Sequence, residues 1–345
     1  KALDYRFDLA RVSTGGQWGM LDQGGNFLLQ PEYDFIDYLE LEEGQVLLEG
    51  SRDKGGYGFI EQHGAVVIEP AFEDVGAFRE NLVRVKQQGK WGLANQLGQV
   101  VVPPRYTELG DVHDGRAWYR NRRLRGFIDA QGNVLVPEKY LRTGDFHAGR
   151  AWVQDGKYYG FLDSTGQMAI EPAYNLAQDF DAAGVAPVRR KKDWGLIDRE
   201  GHWVRNPGLY RIEAFCDSLA QVQERADWGI LHANGEYMVR PQYQEVGQFG
   251  DNLIPVRLGL AFGYLDRQGN TVIPFVYPRA EAFSEGRAAV FVSGRWGYLD
   301  TAGTLIIEYR FARARQFVEE RAAIKVEGKW GFLDRGGLLV VASDF

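Results

Sequence analysis

A pair of glycines recurs along the whole length of this sequence and limits what the chain can fold into. The first glycine of the pair returns every 34 residues, apart from one interval of 39 and one of 35 residues. The ten positions are Gly19, Gly58, Gly92, Gly126, Gly160, Gly195, Gly229, Gly263, Gly297 and Gly331. A period of this length is typical of a repeat array. We therefore expect ten copies of one unit instead of two or three unrelated domains.

The second glycine of each pair marks a tight turn six residues after the first. Its positions are Gly25, Gly64, Gly98, Gly132, Gly166, Gly201, Gly235, Gly269, Gly303 and Gly337. In seven copies an Asp stands three residues earlier, at Asp22, Asp129, Asp163, Asp198, Asp266, Asp300 and Asp334. An Asp side chain can bond the backbone ahead of it, and Gly accepts a left-handed conformation. Asp-x-x-Gly between two apolar runs therefore predicts a hairpin turn.

Each copy contains three short stretches with the pattern of β-strands. In the third copy, Leu82–Lys86 alternates apolar and polar residues, Lys90–Ala94 follows a tight turn, and Val100–Val102 is fully apolar. Two prolines, Pro103 and Pro104, then interrupt the ladder because proline cannot donate to it. Since no segment shows a sustained helical period, the predicted class is all-β, built from three-stranded antiparallel meanders.

Aromatic residues recur at three places in the copies. One precedes the first glycine in nine copies, with Arg125 as the exception, and a Tyr or Phe ends the third strand from Tyr33 through Tyr210 to Phe345. A phenylalanine also opens six copies, at Phe78, Phe146, Phe215, Phe249, Phe283 and Phe317. One meander is too small to bury its own apolar face, so neighbouring copies are expected to stack. We expect the aromatic before the glycine to lie in this core, where replacing a Trp by Ala would cost about 3–5 kcal/mol.

The whole chain is therefore predicted to be one array of ten repeats of about 34 residues. The predicted repeats are about 1–35, 36–74, 75–108, 109–142, 143–176, 177–211, 212–245, 246–279, 280–313 and 314–345. The chain starts with a first strand and stops after a third, so the two ends share no blade. This favours an open, curved superhelix, or solenoid, over the alternative of a closed ten-bladed β-propeller.

Composition excludes several classes of protein. The net charge of −7 argues against general nucleic-acid binding, which needs a basic surplus. A single cysteine, Cys216, excludes a disulfide framework, and we expect it to be buried and inert. No apolar run approaches the roughly 20 residues that span a bilayer, so no membrane insertion is expected. The first residue is Lys1, not Met, which favours a processed protein of the bacterial periplasm or cell envelope, with the cytoplasm as the alternative.

With these motifs in hand, the chain resembles the bacterial WG-repeat family, named for its Trp-Gly pair. The family pattern is aromatic-Gly-apolar-apolar-Asp, then Gly, an apolar strand, proline and tyrosine. Arg295–Asp300 and Lys329–Asp334 are close matches, and the resemblance covers essentially the whole chain. It departs at Arg125, at His232 in place of Asp, and in the longer first interval. The resemblance implies an interaction module of conflict, stress-response or cell-surface systems, in some cases an immunity protein, and it supplies no catalytic residues.

Motifs for chemistry are missing from the sequence. The five histidines, His63, His113, His147, His202 and His232, lack the spacing of a helical zinc site. One Asp per turn gives too few ligands for calcium, and the glycines near Gly55 precede no helix, unlike a phosphate loop. We therefore expect no cofactor, no metal and no enzymatic activity.

Departures from the repeat are the better guide to binding, because repeat folds bind through residues that vary between copies. Basic residues crowd the fourth copy and the matching turn of the sixth, and Trp118 and Trp152 are expected by strand alternation to face outward. The candidate partner-binding residues are Trp118, Arg120, Arg122, Arg123, Arg125, Trp152, Arg189, Arg190, Lys191 and Lys192, with Arg116 and Lys157 nearby. The opposite charge gathers at Glu32, Asp34, Asp37, Glu40, Glu42 and Glu43.

These observations favour a non-catalytic scaffold, monomeric by itself, that binds a protein partner with an acidic surface. An immunity-type or adaptor protein that binds a secreted effector or a surface partner fits this description. One alternative is a glycan or cell-wall binder in which Trp118, Trp152 and Trp203 stack on sugars. A second alternative is an enzyme whose site is built from loops between repeats.

Overall fold

The computed structural model describes residues 2–6, 9–22, 26–40, 46–51, 56–61 and 66–342. Several predicted features therefore lie outside the described residues, namely Gly25, Gly64, His63, Glu42, Glu43 and Phe345. The side chains of Asp37 and Glu40 lie outside them as well. Every regular element in the described part of the chain is a β-strand, as the all-β prediction requires.

The strands of the first five repeats follow one another in chain order. They are β1 (Ala2–Arg6), β2 (Leu9–Thr14), β3 (Gln17–Leu21) and β4 (Phe27–Tyr33); β5 (Phe35–Glu40), β6 (Val46–Ser51), β7 (Tyr57–Glu61) and β8 (Val66–Phe72); β9 (Asp74–Arg79), β10 (Leu82–Gln87), β11 (Lys90–Asn95) and β12 (Val100–Tyr106); β13 (Glu108–Leu109), β14 (Arg116–Arg120), β15 (Arg125–Asp129) and β16 (Val134–Tyr140); and β17 (Arg142–Thr143), β18 (Arg150–Asp155), β19 (Tyr158–Asp163) and β20 (Met168–Tyr174).

The remaining repeats continue the same order. Their strands are β21 (Leu176–Ala177), β22 (Val185–Arg190), β23 (Asp193–Asp198) and β24 (Trp203–Leu209); β25 (Arg211–Ile212), β26 (Leu219–Glu224), β27 (Asp227–His232) and β28 (Tyr237–Tyr243); β29 (Glu245–Val246), β30 (Ile254–Leu258), β31 (Ala261–Leu265) and β32 (Thr271–Tyr277); β33 (Arg279–Ala280), β34 (Ala288–Val292), β35 (Arg295–Leu299) and β36 (Leu305–Phe311); and β37 (Arg313–Val318), β38 (Arg321–Val326), β39 (Lys329–Asp334) and β40 (Leu339–Ala342).

Each repeat is an antiparallel meander whose strands pair in sequence order, and none of the described sheets closes into a barrel. The predicted three strands are joined by a fourth, the opening segment, which from the fourth to the ninth repeat is only two residues long. The chain divides into two compact units. Residues 1–191 and 198–202 hold repeats one to five with β21 and β22, and residues 192–197 and 203–345 hold most of β23 with β24 and repeats seven to ten.

The core of each unit lies between successive sheets. In the first unit, Leu93 and Val102 of the third repeat pack with Ala117 and Ile128 of the fourth. The other face of the fourth sheet enters the next cluster, in which Phe127 packs with residues of the fifth repeat. An internal sheet is therefore buried on both faces, since each face meets a neighbouring repeat.

An aromatic pair recurs in these interfaces. The ring directly after the first glycine meets, edge to face, the phenylalanine that opens the next repeat. The ring centroids lie 4.9–5.1 Å apart in Phe59–Phe78, Phe127–Phe146, Phe161–Phe180, Tyr264–Phe283 and Tyr298–Phe317. Edge-to-face pairs at this distance add stability beyond the apolar area they bury.

The expectation that the aromatic before the glycine forms the core is correct only in part, since Tyr159 is buried while others, such as Trp91 and Trp296, pack against core clusters from the edge. Most of these residues are half-buried, and Trp330 is 38% exposed. The reason is position along the strand, because Trp91 pairs with Lys86 directly beside the hairpin, whereas Leu93 lies at the sheet centre and is fully buried. A second expectation fails in the sixth repeat, where Leu209 fills the buried aromatic site and Tyr210 is 67% exposed.

The two glycines have different physical roles. From Gly98 to Gly337 the second glycine has φ between +78° and +87°, the left-handed region that the turn requires. The Asp before it accepts two backbone N–H bonds, as Asp300 does from Ala302 at 3.0 Å and Thr304 at 2.8 Å. The predicted turn mechanism is thus confirmed in the described copies. The first glycine is needed for close approach, since a Cβ on Gly263 would lie 2.7 Å from the carbonyl oxygen of Ile273.

We predict that Gly263→Ala lowers the free energy of unfolding by about 3 kcal/mol, because a Cβ would push the third strand away. In the same repeat, Gly259 has φ +65°, and a Cβ added there would meet nothing within 4 Å. Gly259→Ala is therefore expected to cost only about 1 kcal/mol of backbone strain. Urea unfolding of both variants measures the difference, and equal losses would contradict the close-approach role.

We also predict that Phe127→Ala costs about 3–5 kcal/mol of unfolding free energy, because this ring is fully buried between two repeats. Phe332 occupies the equivalent position in the tenth repeat and is 41% exposed. Phe332→Ala is the matched control and should cost much less. The same denaturation experiment tests both, and a larger loss in the control would refute stacking as the source of stability.

Candidate interaction surface on the fourth to sixth repeats

The first hairpin of the fourth repeat carries an enlarged basic loop. Arg120 pairs with Arg125, so four residues, 121–124, separate the paired strands, whereas two residues do so in the third and eighth repeats. The amides of Asn121 and Arg122 donate to one carboxylate oxygen of Glu138, at 2.7 and 3.1 Å. This anchors the loop at its base and leaves the exposed side chains of Arg122 and Arg123 at the tip.

The two arginines at the base of this loop are engaged inside the protein. Arg120 forms an ion pair with Glu108 on the neighbouring strand. Arg125 donates to the carbonyl oxygen of Thr143 at 3.1 Å, and its guanidinium lies 3.8 Å from the ring centroid of Trp118. Desolvation lowers the pKa of Arg125. Arg120 and Arg125 therefore hold the repeat together, and Arg122 and Arg123 are the exposed cations of this loop.

The sixth repeat presents a second basic tip. Arg190, Lys191 and Lys192 are exposed, while Arg189 is half-buried. Lys191 has φ +58°, and its amide donates to the side-chain oxygen of Asn175 at 2.6 Å. This tip is thus fixed by a polar side chain in the same way as the tip of the fourth repeat.

We name Arg122, Arg123, Arg190 and Lys191 the basic tips; all four belong to the first compact unit. Among the described residues, none of their side chains has a carboxylate within ion-pair distance. The fifth repeat adds the exposed Lys157, with Asp155 nearby on the same hairpin. The tips are therefore positive points on a chain whose net charge is −7.

The prediction that Trp118 and Trp152 face outward is wrong. Both indoles are half-buried, and Trp118 packs against the cluster between the fourth and fifth sheets. Alternation along β14 is as expected, since Ala117 and Tyr119 are buried on the other face. The face of β14 that carries Trp118 is not exposed to solvent, however, because the fifth repeat covers it.

Sequence reasoning missed a polar recess formed by the opening segments of the same repeats. The rings of His113 and His147 lie with centroids 4.9 Å apart. The carboxylate of Asp179 interacts electrostatically with both histidines and with Asp145, and the indole N–H of Trp152 donates to Asp179. We call Asp145, Asp179, His113 and His147 the Asp–His recess.

Asp179 is solvent-accessible, yet protein surrounds it closely. Desolvation raises the pKa of its carboxyl; the charge of Asp145 acts in the same direction, while His147, the bond from Trp152 and His113 oppose the rise. A Cβ on Gly144 would overlap both Trp152 and Asp179, so the glycine makes room for this contact. Within the described residues, no group of three His, Cys, Asp or Glu side chains has metal-binding geometry.

The spacing of the sequence contained the signal for this recess. Asp111, Asp145 and Asp179 are 34 residues apart, and so are His113 and His147. The register is visible only when the histidines of successive copies are compared. Asp111 itself is bonded by Arg84 at 2.5 Å, so only the next two carboxylates contribute to the recess.

The remaining predicted positions have local roles. His202 lies 3.3 Å from Asp198 within its turn, and Asn234 bonds the turn in which His232 replaces the usual Asp. Cys216 is exposed, so its predicted burial is wrong; it begins a hairpin turn at the bridge to Leu219. Glu32 and Asp34 are exposed. The part of the chain that the structure describes contains no helix capable of spanning a membrane.

Many solved structures have a similar arrangement, at low sequence identity. The crystal structure of a eukaryotic initiation factor is 11% identical, with 88% of this chain and 96% of that chain covered and a TM-score of 0.50. The extracellular domain of a protein described as a hybrid two component system from B. thetaiotaomicron is 7% identical, with 99% and 64% covered and a TM-score of 0.28. Hsv2 of Kluyvelomyces marxianus is 8% identical, with 67% and 94% covered and a TM-score of 0.33. At these identities the first likeness shows the fold alone, and no curated protein matches the chain.

The sequence model of one family, described as WG containing repeat, matches eight segments. The matched residues are 18–44, 57–91, 91–122, 126–159, 159–192, 228–259, 262–296 and 296–330. These segments cover more than half of the chain and coincide with the glycine register and the stacked meanders described above. The chain therefore belongs to the WG containing repeat family.

Proposed function

We propose that this chain is a non-catalytic scaffold that binds a protein through an acidic surface of that partner. The observation that carries the proposal is the pair of basic tips, four exposed cations without carboxylate partners among the described residues. Arginine is enriched in the energetic centres of protein interfaces. Charge complementarity of this kind raises association rates and selects partners.

The anchoring of the tips supports this role. Glu138 bonds the backbone of the fourth-repeat loop, and Asn175 bonds that of the sixth. Preorganised loops lose less conformational entropy on binding, so their contacts contribute more to affinity. An adaptor or an immunity-type protein that captures an effector or a surface protein requires such a rigid recognition surface.

The alternatives receive less support from the geometry. Trp118, Trp152 and Trp203 are all half-buried, so they do not offer the free indole faces that sugar stacking at these positions would need. One polar cluster that could suggest catalysis, formed by Arg205, Glu224 and Tyr237 between the sixth and seventh repeats, is hydrogen-bonded within itself. A scaffold remains the function that the described contacts support best.

We predict that reversing the tips, by Arg122→Glu, Arg123→Glu, Arg190→Glu and Lys191→Glu together, weakens partner binding at least about ten-fold. The partner is first captured from a lysate of the source cells on the immobilised chain and identified by mass spectrometry. Its affinity for both chains is then measured with purified proteins at low and high salt. Salt should weaken binding to the unmodified chain most, because exposed charges are screened.

The matched control replaces Arg225 and Arg295 by Glu. These arginines are exposed on the equivalent hairpins of the seventh and ninth repeats. This variant should bind the partner as the unmodified chain does. Equal affinity of the tip variant and the unmodified chain would remove the proposal. Loss of binding in the control alone would place the interface elsewhere on the array.

A further inference from the structure

A second surface belongs to the second compact unit, shares no residue with the basic tips, and does not depend on the function proposed above. A groove of about 820 Å³ opens between the ninth and tenth repeats. Its lining includes the aromatic rings of Phe291, Trp296 and Trp330 and the arginines Arg279, Arg313 and Arg315. This volume is within the range of sites for small ligands, roughly 300–1,000 Å³.

The register position of Arg279 and Arg313 is occupied by different residues in the other repeats, and the fifth and seventh repeats also have an arginine there, Arg142 and Arg211, each opposite a glutamine. In the fourth and eighth repeats, the opening strand and the next strand face each other with a Glu–Arg pair, Glu108–Arg120 and Glu245–Arg257. At the same register the ninth repeat has Arg279 opposite Phe291. The tenth repeat has Arg313 opposite Lys325. No carboxylate therefore lies opposite Arg279 or Arg313 across the strand pair, and with three arginines and one glutamate in its lining the groove is positively charged.

The arginines of the groove are available to a ligand. Arg279, Arg313 and Arg315 are exposed, and in the described ranges no carboxylate lies within ion-pair distance of them. One carboxylate, Glu281, shares the groove. Desolvation, and then the charge of Glu245, raises the pKa of Glu281.

Aromatic faces lie next to these cations. Trp330 is 38% exposed, and the guanidinium of Arg315 lies 5.7 Å from its ring centroid. On the ninth repeat, Phe291 and Trp296 lie with centroids 5.3 Å apart, and Arg279 lies 5.5 Å from the ring of Phe291. A ligand in the groove would meet flat apolar faces and guanidinium groups together.

The backbone of the groove argues against a peptide that extends the tenth sheet. The carbonyl oxygen of Arg315 accepts the hydroxyl of Tyr298 at 2.8 Å, and that of Phe317 accepts the hydroxyl of Ser284 at 2.7 Å. β37 therefore has acceptors that are already bonded, whereas strand addition needs free backbone groups along the edge. A ligand built from rings that carry carboxylates matches the arginines and aromatic rings of the groove. Guanidinium groups bind carboxylates in two-point geometry, and indoles pack on ring faces.

We infer that the groove between the ninth and tenth repeats binds an acidic oligosaccharide, with uronic-acid carboxylates on Arg279, Arg313 and Arg315 and a sugar face on Trp330.

The test is titration calorimetry of the full chain with a short oligogalacturonate, and with the uncharged galactose oligomer of the same length. Binding of the acidic oligomer and much weaker binding of the neutral one are expected. Arg313→Gln with Arg315→Gln should weaken binding about ten-fold or more, since each lost charged hydrogen bond is a substantial part of the affinity. Trp330→Ala should weaken it, and Glu281→Gln should strengthen it by removing an opposing charge.

The matched control is Arg225→Gln, an exposed arginine outside the groove, which should leave the affinity unchanged. All substituted residues except Trp330 are surface charges, so an unchanged urea midpoint will verify that the variants are folded. The inference is overturned if the chain does not bind oligogalacturonate, or if the double arginine variant binds it as well as the unmodified chain does. Equal binding of a polyglutamate peptide would also overturn it, in favour of a protein ligand.

Discussion

The packing of the residue after the first glycine against the next repeat, as an edge-to-face ring pair at five boundaries, is the contact on which this array depends. One ring follows the first glycine of a repeat and the other opens the next repeat, as in Tyr298 and Phe317. Where the first residue is aliphatic, as at Ile230, the opening phenylalanine Phe249 still packs against the cluster. A meander of four short strands cannot bury enough apolar surface alone. Stability is therefore a property of pairs of repeats, and each repeat is stabilised by its neighbours.

Burial on both faces has consequences for function. In a sheet with one wet face, alternate residues are free to recognise partners, but here Trp118 lies on the second face and is covered by the fifth repeat. Variation useful for binding is therefore confined to hairpin tips, opening segments and grooves at the rims. The basic tips, the Asp–His recess and the groove of the ninth and tenth repeats all occupy such positions. Rigid stacked sheets hold these sites at fixed places within each unit, which favours recognition without rearrangement.

The fold was predictable from local chemistry and the side-chain environment was not. The Asp-x-x-Gly turns and the strands around Gly92 follow from conformational rules that need no neighbour. The error at Tyr210 came from moving one position along the chain to reach a tyrosine, since Leu209 stands at the same distance from Gly195 as Tyr106 does from Gly92 and fills the buried site. The exposure of Cys216 and the burial of Trp118 depend on the adjacent repeat, whose placement the sequence of one repeat does not contain. The Asp–His recess was visible as a 34-residue spacing, but only when residues were compared between copies.

A repeat protein provides its own reference for deciding which charges matter. At the position that Arg279 and Arg313 occupy, the fourth and eighth repeats have a glutamate. This glutamate forms an ion pair with the arginine opposite it, so the two charges neutralise each other. Arginines at the same position in the fifth, seventh, ninth and tenth repeats have no carboxylate opposite them, and Arg279 and Arg313 among these also line a groove. The same comparison separates Arg120, which is paired within its repeat, from Arg122, which is exposed without a carboxylate partner among the described residues. Exposed cations of this kind form their strongest contacts with anionic groups that a ligand brings, which is the physical basis of both proposals made above.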